Sequence, residues 1–166
     1  PGSKTTYLAQ LVNNNSFITA CEIDKIRMER LKSNVSKLGA SCVNFLCIDS
    51  RRLDDFFRFD QILLDAPCSG SGTLSVYDKS MTKFSKALVI NSSKLQFELL
   101  KKALTILKPG CEMIYSTCSI LQEENEKLNL LYQSDDNYNY IEQSSTLPTT
   151  SDYIEKLKNE LDILGD

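Results

Sequence analysis

Phe59-Asp60-Gln61-Ile62-Leu63-Leu64-Asp65-Ala66-Pro67-Cys68-Ser69-Gly70-Ser71-Gly72-Thr73 decides the fold. Ile62-Leu63-Leu64 has no polar face, which is the pattern of a parallel strand covered by helices on both sides. Asp65 marks its carboxyl end. Pro67 fixes its own φ and pushes Ala66 toward an extended conformation, so the chain leaves the sheet in a set direction and holds Cys68 with little freedom. Gly70 and Gly72 allow close approach of backbone to a ligand.

Upstream, the pattern Tyr7, Leu8, Leu11, Val12 predicts a helix that Ser3 caps and Asn13-Asn14-Asn15 ends. Ser16 to Cys21 reads as a strand stopping at Glu22 and Asp24. Residues 25–38 place Ile26, Leu31, Val35 and Leu38 at helical spacing, with Gly39 as terminator. Val43 to Ile48 is the next strand, ending at Asp49, and Arg51 to Arg58 reads as a short exposed turn or helix. Downstream, 74–91 lacks periodicity and reads as a long loop. Leu95, Leu99, Leu100, Ala103, Leu104 and Leu107 define a helix that Pro109-Gly110 stops. Cys111 to Thr117 is a strand with Cys118 at its end, and Glu123-Glu124-Asn125-Glu126 opens a helix with acids in its first turn. Residues 134–152 are polar and read as a loop or linker. Ile154, Leu157, Leu161 and Leu164 predict a terminal helix within 153–166.

Alternating strands and helices imply an α/β fold with a mostly parallel, Rossmann-like sheet. Ligands bind such sheets at the carboxyl ends of the strands, where Glu22, Asp49, Asp65 and Cys118 fall, and an acid ending the second strand is a common ribose acceptor. Histidine is absent, so acid–base and nucleophilic chemistry must use carboxylate, Lys, Tyr or Cys. The six cysteines have no CxxC spacing, which argues against a zinc site and a disulfide framework, so no metal is expected. Cys21, Cys42, Cys47 and Cys111 read as small buried hydrophobes. The net charge of −3 offers no global basic field, and Arg51, Arg52 and Arg58 read as a solvated face. No apolar run reaches the ~20 residues of a bilayer span and no signal segment opens the chain, so an intracellular location and no membrane are expected.

With Asp65-Ala66-Pro67-Cys68-Ser69-Gly70, Tyr115-Ser116-Thr117-Cys118-Ser119-Ile120 and Glu124-Asn125-Glu126 in view, the chain resembles the Sun/nucleolar-protein family of RNA cytosine-5 methyltransferases. The resemblance covers residues 1 to about 132, and Pro1-Gly2-Ser3-Lys4-Thr5 is similar to the second half of that family's S-adenosylmethionine loop. It implies Cys118 as nucleophile, Cys68 as the residue assisting product release, Asp65 at the target cytosine and Lys4 lining the site. It further implies cofactor contacts from Pro1, Gly2, Lys4 and Asp65, from Glu22 to the ribose and from Asp49 to the adenine. Asp24 is the alternative ribose contact. A buried Asp65 would hold a proton for the cytosine ring.

The same resemblance implies a partial catalytic domain over 1–133 that lacks its first strand, leaving a gap or an unusual pairing in the sheet, and weak S-adenosylmethionine binding by residues 1–166 alone. The implied partner is RNA, ribosomal first and transfer RNA second, with a separate RNA-binding domain outside this chain and a monomeric state. The implied location is nucleolar or nuclear in a eukaryote and cytoplasmic in a bacterium. The competing expectation is a catalytically inactive, RNA-associated scaffold of the same fold. A methyltransferase acting on protein or small molecules would not need two cysteines so placed.

Overall fold

The computed structural model describes residues 1–74 and 84–126 in full and the backbone of the strand Asn139–Glu142. The chain divides into two compact units, Pro1–Asp54 and Asp55–Asp166.

The first unit holds helix α1 (Ser3–Leu11), strand β1 (Ile18–Cys21), helix α2 (Lys25–Lys37) and strand β2 (Val43–Leu46). β1 and β2 pair in parallel, with Ile18 opposite Val43 and Cys21 opposite Leu46. Gly2, not Ser3, caps α1: it adopts φ 103°, and a Cβ there would lie 3.0 Å from Leu31 Cδ1. Asn34 of α2 donates to the Pro1 carbonyl at 2.8 Å, so the start of the chain is held against α2. Asn13 and Asn14 take positive φ and end α1. Asn14 also accepts from Ser41 N at 3.0 Å and donates to Gly39 O at 3.2 Å, tying that end to the turn before β2. The core is Ala9, Ala20, Met28, Leu31, Val35 and Ala40. Ile26 and Leu38, expected on the apolar face of α2, are instead 67% and 69% exposed. Met28, Leu31 and Val35 lie three and four residues apart and form the buried stripe. On α1, Thr6 and Ala9 face inward while Tyr7 and Leu11 are exposed.

The second unit is a parallel sheet of β3 (Phe59–Asp65), β4 (Leu107–Ser116) and β5 (Asn139–Glu142), in that order, with helix α3 (Lys86–Ile106) against β3 and β4. Leu63 lies opposite Ile114 and Asp65 opposite Ser116. The core is Ala66, Leu100, Ala103, Leu107, Met113 and Tyr115, with Ile62 and Leu64 packed on it. Leu63 alternates to the other face, and Ile62-Leu63-Leu64 is half-buried where complete burial was expected. Among the described residues the helix covering this sheet is α3, on the face of Ile62 and Leu64.

Three sequence expectations are corrected here. α3 begins at Lys86, capped by Ser85, whose side chain accepts from Leu88 N at 3.2 Å. The 74–91 loop therefore ends earlier than expected; its residues 75–83 lie outside the described residues. Asn91-Ser92-Ser93 are weak helix formers that masked the periodicity there. Pro109-Gly110 does not lie between helix and strand but inside β4: the register jumps from Phe59 opposite Leu107 to Gln61 opposite Glu112. This bulge takes up a proline that cannot donate to the ladder and Gly110 at φ 75°. Finally, β5 lies within 134–152, which read as polar loop, and pairs in parallel with β4, Ile114 opposite Ile141. The terminal helix of 153–166 lies outside the described residues. Among those residues no strand joins β1–β2 to the second sheet.

The burial pattern of α2 is testable by urea unfolding. Met28→Ala removes a side chain that is 1% exposed and should cost about 2–5 kcal/mol. Ile26→Ala should change stability by no more than about 0.5 kcal/mol. The opposite ranking would show that α2 packs with the face read from its leucine and isoleucine spacing.

Candidate active site

β3 and β4 end side by side. Parallel neighbours run about 4.8 Å apart, and the loops leaving them begin with Ala66 N donating to Ser116 O at 2.9 Å. Pro67 then directs one loop and Thr117 the other, so that Cys68 Sγ and Cys118 Sγ lie 2.7 Å apart as free thiols. The backbone N–H of Cys118 donates to Cys68 Sγ at 3.3 Å. Asp65 sits beside them on the strand end, accepting from Ser116 Oγ at 3.3 Å. Its side chain is exposed, so the burial expected for Asp65 is absent.

Backbone contacts lock the loops together. Gly72 N donates to Cys118 O at 2.9 Å, and a Cβ on Gly72 would stand 2.7 Å from that oxygen, so only glycine fits. Gly70 adopts φ 74° to start the 3-10 turn Ser71–Thr73. Buried Ser71 shares a 2.9 Å hydrogen bond with Ser119 Oγ and accepts from Ile120 N at 3.0 Å. Asn125 Nδ2 donates to Ser119 O and Leu121 O, and Asn125 Oδ1 accepts from Thr117 Oγ1 at 2.7 Å.

Glu124 lies at the centre of this arrangement, fully buried. Its carboxylate accepts from Ser69 N at 2.8 Å, Ser69 Oγ at 2.5 Å and Gln96 Nε2 at 3.4 Å, while its backbone carbonyl accepts from Tyr115 Oη at 2.9 Å. Gln96, buried in α3, also donates to Pro67 O at 2.9 Å. Sequence reasoning placed Glu124 in a helix first turn serving the dipole; it stands instead in the 3-10 turn Gln122–Glu124 with its side chain inward. Gln96 went unnoticed, although a glutamine on the apolar stripe of α3 is the signal that would have found it. The Glu124-Asn125-Glu126 motif marks the rest.

The two thiols differ in surroundings. Burial first, and the neighbouring Cys118 second, push the Cys68 thiol up to about 12, against smaller opposing help from the backbone N–H groups of Gly70 and Cys118. Cys68 therefore keeps its proton at neutral pH. Cys118 is the exposed member of the pair. Of the cysteines read as buried, Cys21, Cys42 and Cys111 are half-buried and Cys47 is exposed.

The remaining site candidates belong to the first unit. Glu22 ends β1 and accepts from Arg27 Nε at 2.7 Å and Asp24 N at 3.1 Å. A carboxylate has about four acceptor positions, so Glu22 retains capacity for a ribose diol. Asp24 spends its side chain capping α2, accepting from Arg27 N at 2.8 Å. Asp49 caps the 3-10 turn Ser50–Arg52 and is gripped by Arg51, whose Nε lies 3.0 Å from both its oxygens and whose Nη2 lies 2.5 Å from Oδ2. Arg51 holds the Asp49 carboxyl below the usual carboxylate range, and its backbone N–H adds a bond at 3.0 Å. Asp49 is thus bound by Arg51, and Glu22 by Arg27 and the backbone N–H of Asp24. Lys4 is exposed on the first turn of α1, and Pro1 and Gly2 form that helix's start. The structure brings Asp65, Cys68 and Cys118 together in one unit; Pro1, Gly2, Lys4, Glu22 and Asp49 lie in the other.

Residues 1–159 match the profile of the family described as 16S rRNA methyltransferase RsmB/F. The chain is 42% identical over 130 residues to ribosomal RNA small subunit methyltransferase F of Aliivibrio salmonicida and 37% identical over 130 residues to that of Vibrio vulnificus. Each alignment covers 77% of this chain and 28% of the relative, so the chain spans under a third of their length. Among solved structures, NSun6 from Pyrococcus horikoshii with SFG superposes with a TM-score of 0.72 at 33% identity, covering 79% of this chain and 34% of that one. A methyltransferase homologue protein from Pyrococcus horikoshii gives 0.66 at 40% identity, covering 81% and 42%. Both similarities extend over the Rossmann-like sheet of a partial methyltransferase domain.

The asymmetry of the thiols sets a pH expectation. With iodoacetamide and mass mapping, Cys118 should be labelled first in native protein, and Cys68 should remain unlabelled until the pH rises far above 9.0, the ordinary thiol value. Because the folded Cys68 binds its proton more tightly than the unfolded one, the stability this provides is present below pH 9.0 and is lost as the pH climbs toward about 12. Cys68→Ala should flatten that loss in pH-dependent unfolding. Equal labelling of both thiols at pH 8 would contradict the assignment.

Proposed function

Because this chain belongs to the 16S rRNA methyltransferase RsmB/F family, we propose that it carries the catalytic residues of an RNA cytosine-5 methyltransferase acting on ribosomal RNA. The observation that carries the reading is the pair of thiols in contact beside Asp65 at the adjoining ends of β3 and β4. Carbon 5 of cytosine is a poor nucleophile, and addition of a sulfur to carbon 6 is what activates it. In this reading the exposed Cys118 makes that bond. Asp65 lies at the same edge, where its carboxyl can hydrogen-bond the target cytosine. Loss of the carbon 5 proton to a base and departure of the Cys118 sulfur then restore the ring. Cys68, which keeps its proton, donates a hydrogen bond to the departing sulfur and so assists release.

S-adenosylmethionine supplies the methyl group. Glu22 is the residue suited to its ribose, with Pro1 and Gly2 at the start of α1 and Lys4 on its first turn as further contacts. An adenine role for Asp49 requires release of at least one bond from Arg51. The relatives named for this activity come from Vibrio and Aliivibrio, which favours the bacterial, cytoplasmic alternative.

The test uses the full-length protein with S-adenosylmethionine and a 16S ribosomal RNA transcript. Cys118→Ala should abolish methylation and any covalent protein–RNA species. Cys68→Ala should leave the nucleophile competent, so a methylated adduct should survive denaturing electrophoresis, and the double variant should lose it. Reversed phenotypes would show that the nucleophile lies on the other loop.

A further inference from the structure

We infer that Glu124 is the positioning residue that holds the Cys68 loop in register with Cys118, acting through Ser69 and not on the substrate. The inference rests on the RNA methyltransferase reading for its catalytic consequence and on geometry alone for its structural one. Cys68 is the residue between two points that Glu124 and its partner grip. On one side, Gln96 Nε2 bonds both Pro67 O and Glu124 Oε1. On the other, Ser69 presents its backbone N–H to Glu124 Oε1 and its hydroxyl to Glu124 Oε2, a two-point clamp on adjacent donors.

The clamp is anchored on the opposite side as well. Glu124 follows Cys118 by six residues, its own carbonyl accepts from buried Tyr115 of β4, and Ser93 of α3 donates to Glu123 O at 2.8 Å. A displacement of the Cys68 loop therefore requires breaking its bonds to Gln96 of α3 and to Glu124, which β4 and α3 hold in place. Glu124 is fully buried and its carboxylate is engaged by three donors, so it has no surface on which to meet a base and substrate contact is excluded for it. What it controls is where Cys68 Sγ stands.

Geometry, and not charge, makes the prediction specific. A glutamine at 124 accepts from Ser69 N with its carbonyl and donates to Ser69 Oγ with its amide, because a hydroxyl is both donor and acceptor. Glu124→Gln should therefore preserve the clamp and Glu124→Ala should release it. A misplacement of about 1 Å near a reacting pair can cost on the order of 10²-fold in rate.

The experiment uses the full-length protein and two probes. The first is dibromobimane, which becomes fluorescent only when it bridges two neighbouring thiols; mass mapping identifies the Cys68–Cys118 bridge. Once Cys118 has reacted, the second bromomethyl group is held against Cys68, and its high effective concentration offsets the scarcity of thiolate there. Wild type and Glu124→Gln should therefore bridge, and Glu124→Ala should not. The second is a 16S ribosomal RNA transcript with tritiated S-adenosylmethionine. Glu124→Ala should lower kcat by about 10²-fold, leave KM for S-adenosylmethionine unchanged and lengthen the life of the covalent adduct, while Glu124→Gln restores kcat to within about threefold. Ser69→Ala loses one charge-assisted bond and keeps the backbone one, so it should lower kcat by about tenfold in the same direction, and it carries the test if Glu124→Ala fails to fold by circular dichroism. Bridging and adduct lifetime like wild type in Glu124→Ala, or in Ser69→Ala where only that variant folds, would overturn the inference. So would a Glu124→Gln protein as impaired as Glu124→Ala. If the wild type does not methylate the transcript, the functional reading fails while the bridging arm still decides the role of Glu124.

Discussion

The parallel pairing of Asp65 with Ser116 is the constraint on which the site depends. It brings two loops out of one edge of the sheet at strand spacing, before either loop has made a contact of its own. A slip of one residue in that register would turn every side chain of one strand to the opposite face. Ile62 and Leu64 would then leave the α3 core, and the penalty for exposing them protects the register. The apolar packing of Leu100, Ala103, Met113 and Tyr115 is thus the same interaction that sets the separation of Cys68 and Cys118.

Strand pairing alone does not hold a loop beyond its first residues. Here a polar network continues the order that the sheet begins, from Ala66 through Ser69 and Ser71 on one loop and from Thr117 through Asn125 on the other. Hydrogen-bonded buried networks rigidify one arrangement, and among the described residues only Gln96 Oε1 is a buried polar side-chain atom left without a partner. That explains why small residues recur between the two cysteines' loops. Gly72 must lack a Cβ for Cys118 O to approach, and Ser71 must be small enough to be wholly buried while bonding Ser119 and Ile120.

Much of this was legible in the chain because its signals are local. Ile62-Leu63-Leu64, the Asp65-Ala66-Pro67-Cys68 exit and the strand ending at Cys118 depend on neighbours in sequence, and they stand where those neighbours put them. The misreadings share a cause in tertiary structure. Ile26 and Leu38 are as apolar as any core residue, and only packing shows that the stripe through Met28, Leu31 and Val35 won. Pro109-Gly110 has the composition of a turn, and the bulge that admits it exists only because β3 lies alongside. β5 carries few apolar residues, and its pairing with β4 comes from a neighbour distant in sequence. Glu124 read as a first-turn helix acid because the three donors that make its burial tolerable come from Ser69 and Gln96, 55 and 28 residues away.

Fifty residues of sequence separate two side chains of identical chemistry that stand in contact in unlike surroundings. A thiol's proton affinity is set by what surrounds it, and burial disfavours the thiolate more than any other single influence at Cys68. Cys118 stands on the solvent side of the pair, where a base can reach it. The environment therefore makes the two sulfurs unlike without any histidine to arbitrate, in a chain that has none. Because each sulfur is also the other's nearest polar neighbour, ionisation of the first makes ionisation of the second harder. The contact that brings the thiols together is then also what keeps them unlike.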